Sequence, residues 1–128
     1  MTTSNICING LRALGRHGVL PEEQERAQPF EVDITIDTHI APAARSDDLA
    51  ATVDYGLVVA AVVEIVETKS FALLETLASA IADDVLGRSG VEAVTVEVRK
   101  LRPPLAAQVE SVGVRLRRTV VTDRKSVV

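Results

Sequence analysis

The chain has 128 residues, 47% of them hydrophobic and 25% charged, with a net charge of −4. These values describe a single globular domain, residues 1–128, with no room for a second, and an acidic chain is poorly suited to nucleic acid. Cys7 is the sole cysteine, so an intramolecular disulfide is excluded and a soluble, cytoplasmic protein is expected.

Met1 to Asn9 lack the basic-then-apolar pattern of a secretory signal. Ile6 and Ile8 alternate with Cys7 and Asn9, which predicts a short first strand. Gly15-Arg16-His17-Gly18-Val19-Leu20-Pro21-Glu22-Glu23 carries the punctuation of a loop. Strict alternation follows: Phe30, Val32, Ile34, Ile36 and Ile40 against Glu31, Asp33, Thr35, Asp37 and His39, a half-buried strand. Ala41 to Val53 is a polar connection.

Asp54 can cap a helix that runs through Thr68. Its segment Leu57 to Val63 is apolar nearly all round, which predicts burial of most of its circumference. That run is also the longest apolar one, and it is too short to span a bilayer. Ser70 is the expected N-cap of a second helix, whose stripe is Leu74, Leu77, Ala78, Ile81 and Val85 and whose end is marked by Gly87 and Gly90. Val94, Val96 and Val98 form a third strand, and Val112, Val114 and Leu116 a fourth, with Pro103-Pro104 forcing a break between them. Residues from about 119 to 128 have no pattern and are expected to be a flexible tail. The basic residues Arg115, Arg117, Arg118, Arg124 and Lys125 are expected to be solvating charges on the outer strand face and in that tail.

The order β-β-α-α-β-β predicts an α+β fold, a four-stranded antiparallel sheet with two helices on one face. Its uncovered face and edge strands predict self-assembly. The same inventory excludes several chemistries. His17 and His39 are the only histidines and no Cys-x-x-Cys pair exists, so no zinc site is expected. Neither histidine is accompanied by a Gly-x-Ser-x-Gly elbow, and both are expected to be ordinary loop or strand residues. No glycine-rich phosphate loop appears.

Polar residues at element boundaries remain. Tyr55 opens the first helix, Glu75 lies in the first turn of the second, Lys100 ends the third strand and Glu23 sits in the long loop. Each alone has a structural explanation, such as helix-dipole complementation for Glu75 or packing for Tyr55. Together, the segments Gly15-Arg16-His17-Gly18-Val19-Leu20-x-x-Glu23, Thr52-Val53-Asp54-Tyr55-Gly56, Leu73-Leu74-Glu75-x-Leu77-Ala78 and Val98-x-Lys100-x-x-Pro103-Pro104 closely resemble the dihydroneopterin aldolases of folate biosynthesis. The resemblance covers roughly residues 5–118, in the family's order.

That resemblance implies a tunnelling fold, with four subunits closing a barrel and two rings stacked into a homo-octamer. It implies no cofactor and no metal, no nucleic-acid or membrane partner, and one small-molecule substrate, 7,8-dihydroneopterin. Carried over by position, Lys100 is the implied acid/base group, and Tyr55 the residue that stacks on the pterin and manages a proton. Glu75 and the Leu74 backbone anchor the ring, Glu23 positions the substrate, and Val53 and Asp54 line the pocket wall. Pro104-Leu105-Ala106-Ala107 departs from the family's usual Pro-Ile-Pro-like stretch, and Asp54 stands where a histidine is frequent. The related dihydroneopterin triphosphate 2'-epimerase shares the Tyr, Leu-Glu and Lys positions, and a non-catalytic pterin-binding oligomer is a third reading.

Overall fold

The computed structural model describes residues 4–120. Its elements are β1 (Asn5–Gly15), α1 (Pro21–Glu25), β2 (Gln28–Asp37), α2 (Ala41–Ser46), a 3-10 turn (Leu49–Ala51), α3 (Tyr55–Thr68), α4 (Leu74–Leu86), β3 (Ala93–Lys100) and β4 (Val112–Thr119). The strands form one antiparallel sheet in the order β1-β2-β3-β4, with α3 packed on β1 and α4 on β3 and β4.

Alternation places Phe30, Val32, Ile34 and Ile36 of β2 and Val94, Val96 and Val98 of β3 on the helix side, all fully buried. They meet Val58, Val62 and Val66 of α3 and Leu77, Ala78, Ile81, Ala82 and Val85 of α4. Branched aliphatic side chains thus fill the space between sheet and helices, and truncating one such as Ile81 to Ala costs about 2–5 kcal/mol. The opposite sheet face is polar. Arg99 at its centre pairs with Glu31, Asp33 and Glu97 at 2.9, 2.9 and 3.0 Å.

Several boundaries differ from expectation. β1 runs on to Gly15 because its register shifts between Ile8 and Leu11. Gly10 takes a φ of 74° there and donates its N–H to Asp33, and after this bulge Leu11 and Ala13 turn inward in place of the even-numbered residues. Pro21 starts a short helix inside the expected loop. β2 stops at Asp37, leaving Ile40 exposed, and the polar connection folds into α2 and a 3-10 turn capped by Asp48.

Ser70 does not cap α4. Its hydroxyl donates to the Arg16 carbonyl, and the helix starts at Leu74 because Phe71 is committed to other contacts. In α3 only one stripe is buried, and Leu57 is largely exposed. The helix lies on the outside of a single protomer, so the apolar outer surface of its first half, with Tyr55 and Leu57, has no partner among the described residues. Arg115 and Arg117 are on the polar face with Glu97 and Asp37, whereas Arg118 lies on the helix side and donates to Ser79. Thr119, expected in the tail, still belongs to β4; Arg124, Lys125 and the rest of 121–128 lie outside the described residues. Among the described residues, no helix is long and apolar enough to cross a membrane.

Candidate active site

β3 ends at Lys100, opposite Phe30 of β2, with the Lys100 side chain on the helix side of the sheet. Its ammonium donates to the Glu23 carboxylate at 2.7 Å, and both residues are buried. Glu23 reaches this position from the first turn of α1. Its other carboxylate oxygen accepts from the Leu20 N–H at 3.2 Å, the backward-reaching half of a capping box. Gly18 lies against Glu23, where any Cβ would collide with the carboxylate. The pair is therefore held from both the strand and the loop. An ammonium has three protons, and among the described residues Glu23 accepts one of them, so two directions are open to a bound molecule.

The turn into α4 stands at this same end. The Gly18 N–H donates to the Phe71 carbonyl at 2.9 Å, and the Phe71 N–H donates to His17 at 3.1 Å. Leu74, half-buried, and Glu75, exposed, follow directly at the start of α4. Lys100, Glu23, Leu74 and Glu75 thus share one end of the sheet and helix pair.

Tyr55, Val53 and Asp54 do not join them. Val53 packs into the core beside Gly90, which follows the far end of α4. The Asp54 carboxylate turns back to accept from the N–H groups of Gly56 and Leu57, capping α3, so its side chain is occupied within its own helix. Tyr55 opens α3 and is 63% exposed. α3 has 14 residues, which at about 1.5 Å each separate its ends by roughly 20 Å. Tyr55 and Glu75, at the start and beyond the end of that helix in the chain, are therefore not neighbours. Beside Tyr55, a groove of about 320 Å³ is lined by Thr52, Val53, Asp54, Leu57, Arg88 and Ser89.

One residue was given less weight by its sequence than by its position. His17 is fully buried, with both ring nitrogens in hydrogen bonds, and it is no ordinary loop residue. The signal available in the sequence was its flanking glycines: a Cβ at Gly15 would stand 2.7 Å from the Val66 carbonyl and 2.8 Å from the His17 ring.

Residues 6–117 match the family model described as dihydroneopterin aldolase. The dihydroneopterin aldolase of Streptomyces coelicolor is 44% identical over 116 residues, covering 91% of this chain and 98% of that protein. That of Streptococcus pyogenes serotype M18 is 38% identical, covering 88% of this chain and 96% of that protein. Among solved structures, E. coli dihydroneopterin aldolase in complex with neopterin is similar with a TM-score of 0.82 at 31% identity, over 90% of this chain and 98% of that one.

Proposed function

The chain belongs to the dihydroneopterin aldolase family, and we propose that it cleaves 7,8-dihydroneopterin at a site completed by two subunits. The products are 6-hydroxymethyl-7,8-dihydropterin and glycolaldehyde. The observation that carries the two-subunit reading is the separation of Tyr55 from Lys100, Glu23 and Glu75 by the length of α3.

Glycolaldehyde takes two carbons, so the bond between the first and second side-chain carbons breaks. The hydroxyl on the second carbon loses its proton and becomes the aldehyde. The bonding electrons move to the first carbon and into the pterin's adjacent C=N bond, whose nitrogen takes a proton. An enol forms; protonation at its carbon, with return of the proton from the ring nitrogen and restoration of the C=N bond, gives the hydroxymethyl product. Atoms and charge balance through proton transfers alone, which is work for a positioned acid and base. Lys100 serves the ring nitrogen and side-chain hydroxyls, while Glu23 orients the ammonium and the substrate. The Glu75 carboxylate accepts two N–H bonds from the guanidine-like ring edge, and the Leu74 backbone holds the neighbouring atoms. Tyr55 of an adjacent copy stacks on the pterin and manages the enol's proton, with Val53 and Asp54 beside it.

Assembly into four-subunit barrels, stacked in pairs as an octamer, supplies the second copy. Two sheet edges, at β1 and β4, and the apolar outer surface of α3 support that arrangement. A product assay tests the function. Purified protein given 7,8-dihydroneopterin should release glycolaldehyde, and should do so in EDTA. Epimerisation of dihydroneopterin triphosphate without cleavage would favour the epimerase reading, and binding without turnover would leave only a pterin-binding oligomer.

A further inference from the structure

We propose that His17 is a positioning residue for this reaction: as a neutral imidazole protonated on Nε2, it fixes the ring-anchoring turn before α4 to the loop that carries Glu23. The proposal rests on the roles just given to Glu23, Leu74 and Glu75.

The two hydrogen bonds define the tautomer. Nδ1 faces the Phe71 N–H at 3.1 Å and can only accept. Nε2 faces the Val66 carbonyl at 2.8 Å and can only donate. The other neutral tautomer satisfies neither contact, and the imidazolium would set one N–H against another. The surroundings favour the neutral ring. Burial pushes its pKa below the ordinary histidine value, with the Lys100 charge acting in the same direction and the Val66 bond against it. Lys100 on β3 and Glu23 on α1 are the buried charged pair on this side of the fold, with Arg16 and Glu75 exposed at the same end, while Val66 of α3, Phe30 of β2 and Phe71 present only backbone or rings.

The ring also sits at a junction. Phe71 stacks on it at 5.8 Å, and Phe30, which faces Lys100 across the β2–β3 ladder, meets its edge at 5.2 Å. Gly15 has no side chain where the ring passes, and Gly18, the next residue after His17, lies against Glu23. One imidazole therefore touches the end of α3, the turn into α4 and the strand opposite Lys100.

The two bonds differ in consequence. The bond to Phe71 sets the turn that ends in Leu74 and Glu75. The bond to Val66 secures the end of α3, farther along the chain from those anchors. Asn at position 17 keeps an acceptor near the place of Nδ1, whereas Gln keeps a donor near that of Nε2. Each variant loses one bond and the aromatic packing, so a purely structural role would affect them alike.

His17→Gln should raise KM for 7,8-dihydroneopterin, and Kd for neopterin, by about tenfold or more. His17→Asn should keep both within about threefold of wild type, although Tm falls similarly in the two. Equal losses of affinity, or affinity that follows Tm in both, would overturn the proposal. A second measurement uses the wild-type protein and is independent of how the variants fold. With 13C,15N-labelled histidine, and His39→Asn to assign the signals, His17 should show a bare Nδ1 and a protonated Nε2 at neutral pH. Protonation on Nδ1 there sinks the idea. Wild-type protein that releases no glycolaldehyde would instead sink the proposed function, leaving the tautomer and neopterin-binding results to judge His17.

Discussion

At one end of the α3–α4 pair, Lys100, Glu23 and His17 are buried, the first two bonded to each other and His17 to Val66 and Phe71; at the other, Tyr55 and Leu57 are 63% and 59% exposed. The first end draws on β1, α1, β2, β3 and the turn into α4, so its charges are oriented before any ligand arrives. The second is one capped helix start facing outward. The contrast fits the two tasks proposed for these ends. Groups that move protons need fixed distances and shelter from water, which a single folded chain supplies. A stacking ring needs only to be presented, and a second copy of the chain can bring it.

The sharpest break in that contrast comes from removing Lys100. Lys100→Ala should lower kcat by about 10² to 10⁴ while pterin affinity changes little. It also strands the Glu23 carboxylate in a buried place, so thermal stability should fall as well. Pre-steady-state kinetics with dihydroneopterin separate the two effects; near-normal kcat with lost affinity would remove Lys100 from proton transfer.

Glu75 stands at the same end but is exposed in the protomer, so Glu75→Ala should leave the fold intact. Loss of two charge-assisted bonds should weaken neopterin binding by about 10²- to 10⁴-fold, read by calorimetry. Unchanged binding would mean that the ring is anchored elsewhere.

Mixing inactive Tyr55→Ala and Glu75→Ala proteins under subunit exchange tests the sharing of sites between chains. Random assembly gives a complete site when an intact Glu75 meets an intact Tyr55, about a quarter of all sites, and activity should recover toward that fraction. No recovery despite demonstrated exchange would place both halves in one chain.

The smallest effect is a pH dependence that belongs to the buried end. The folded-state pKa of His17 lies below its ordinary value of 6.5. The unfolded chain therefore binds this proton more readily, so His17 contributes stability that is complete above about pH 6.5 and erodes as pH falls below it. Glu31 and Asp33, held below the carboxylate range by Arg99, and Glu97, held there first by Arg115, lose their contributions only in a more acidic window. Urea unfolding at pH 7.5 and 5.5, at fixed protein concentration, should show a decline in wild type that His17→Asn lessens. An equal decline in both would assign it to other groups.

Most of the framework was legible in the sequence. β2, β3 and β4 followed their alternation, and α3 began where Asp54 caps it. The second half of β1 was hidden because the bulge at Gly10 changes which residues face inward, so no strict alternation survives across it. The start of α4 was misplaced because Ser70 has good capping chemistry, yet its hydroxyl is used by Arg16, 54 residues away. Of the candidate site residues, Lys100 and Glu23 came together, with Leu74 and Glu75 at their end of the fold. Asp54 proved to be a cap as well as a neighbour of Tyr55.

The sequence by itself determined the elements and the side of each that is buried, because a period of two or of about 3.6 residues is set by local backbone geometry. Four linked segments also carried the family, since each records a local chemical requirement. Only the tertiary structure decided that Lys100 meets Glu23 across 77 residues, and that His17 must carry its proton on Nε2. It also decided that Tyr55 faces away from the residues it is proposed to serve. Those outcomes depend on strand register and on the direction of the helix pair, which arise from packing the whole core and are written in no single stretch of chain.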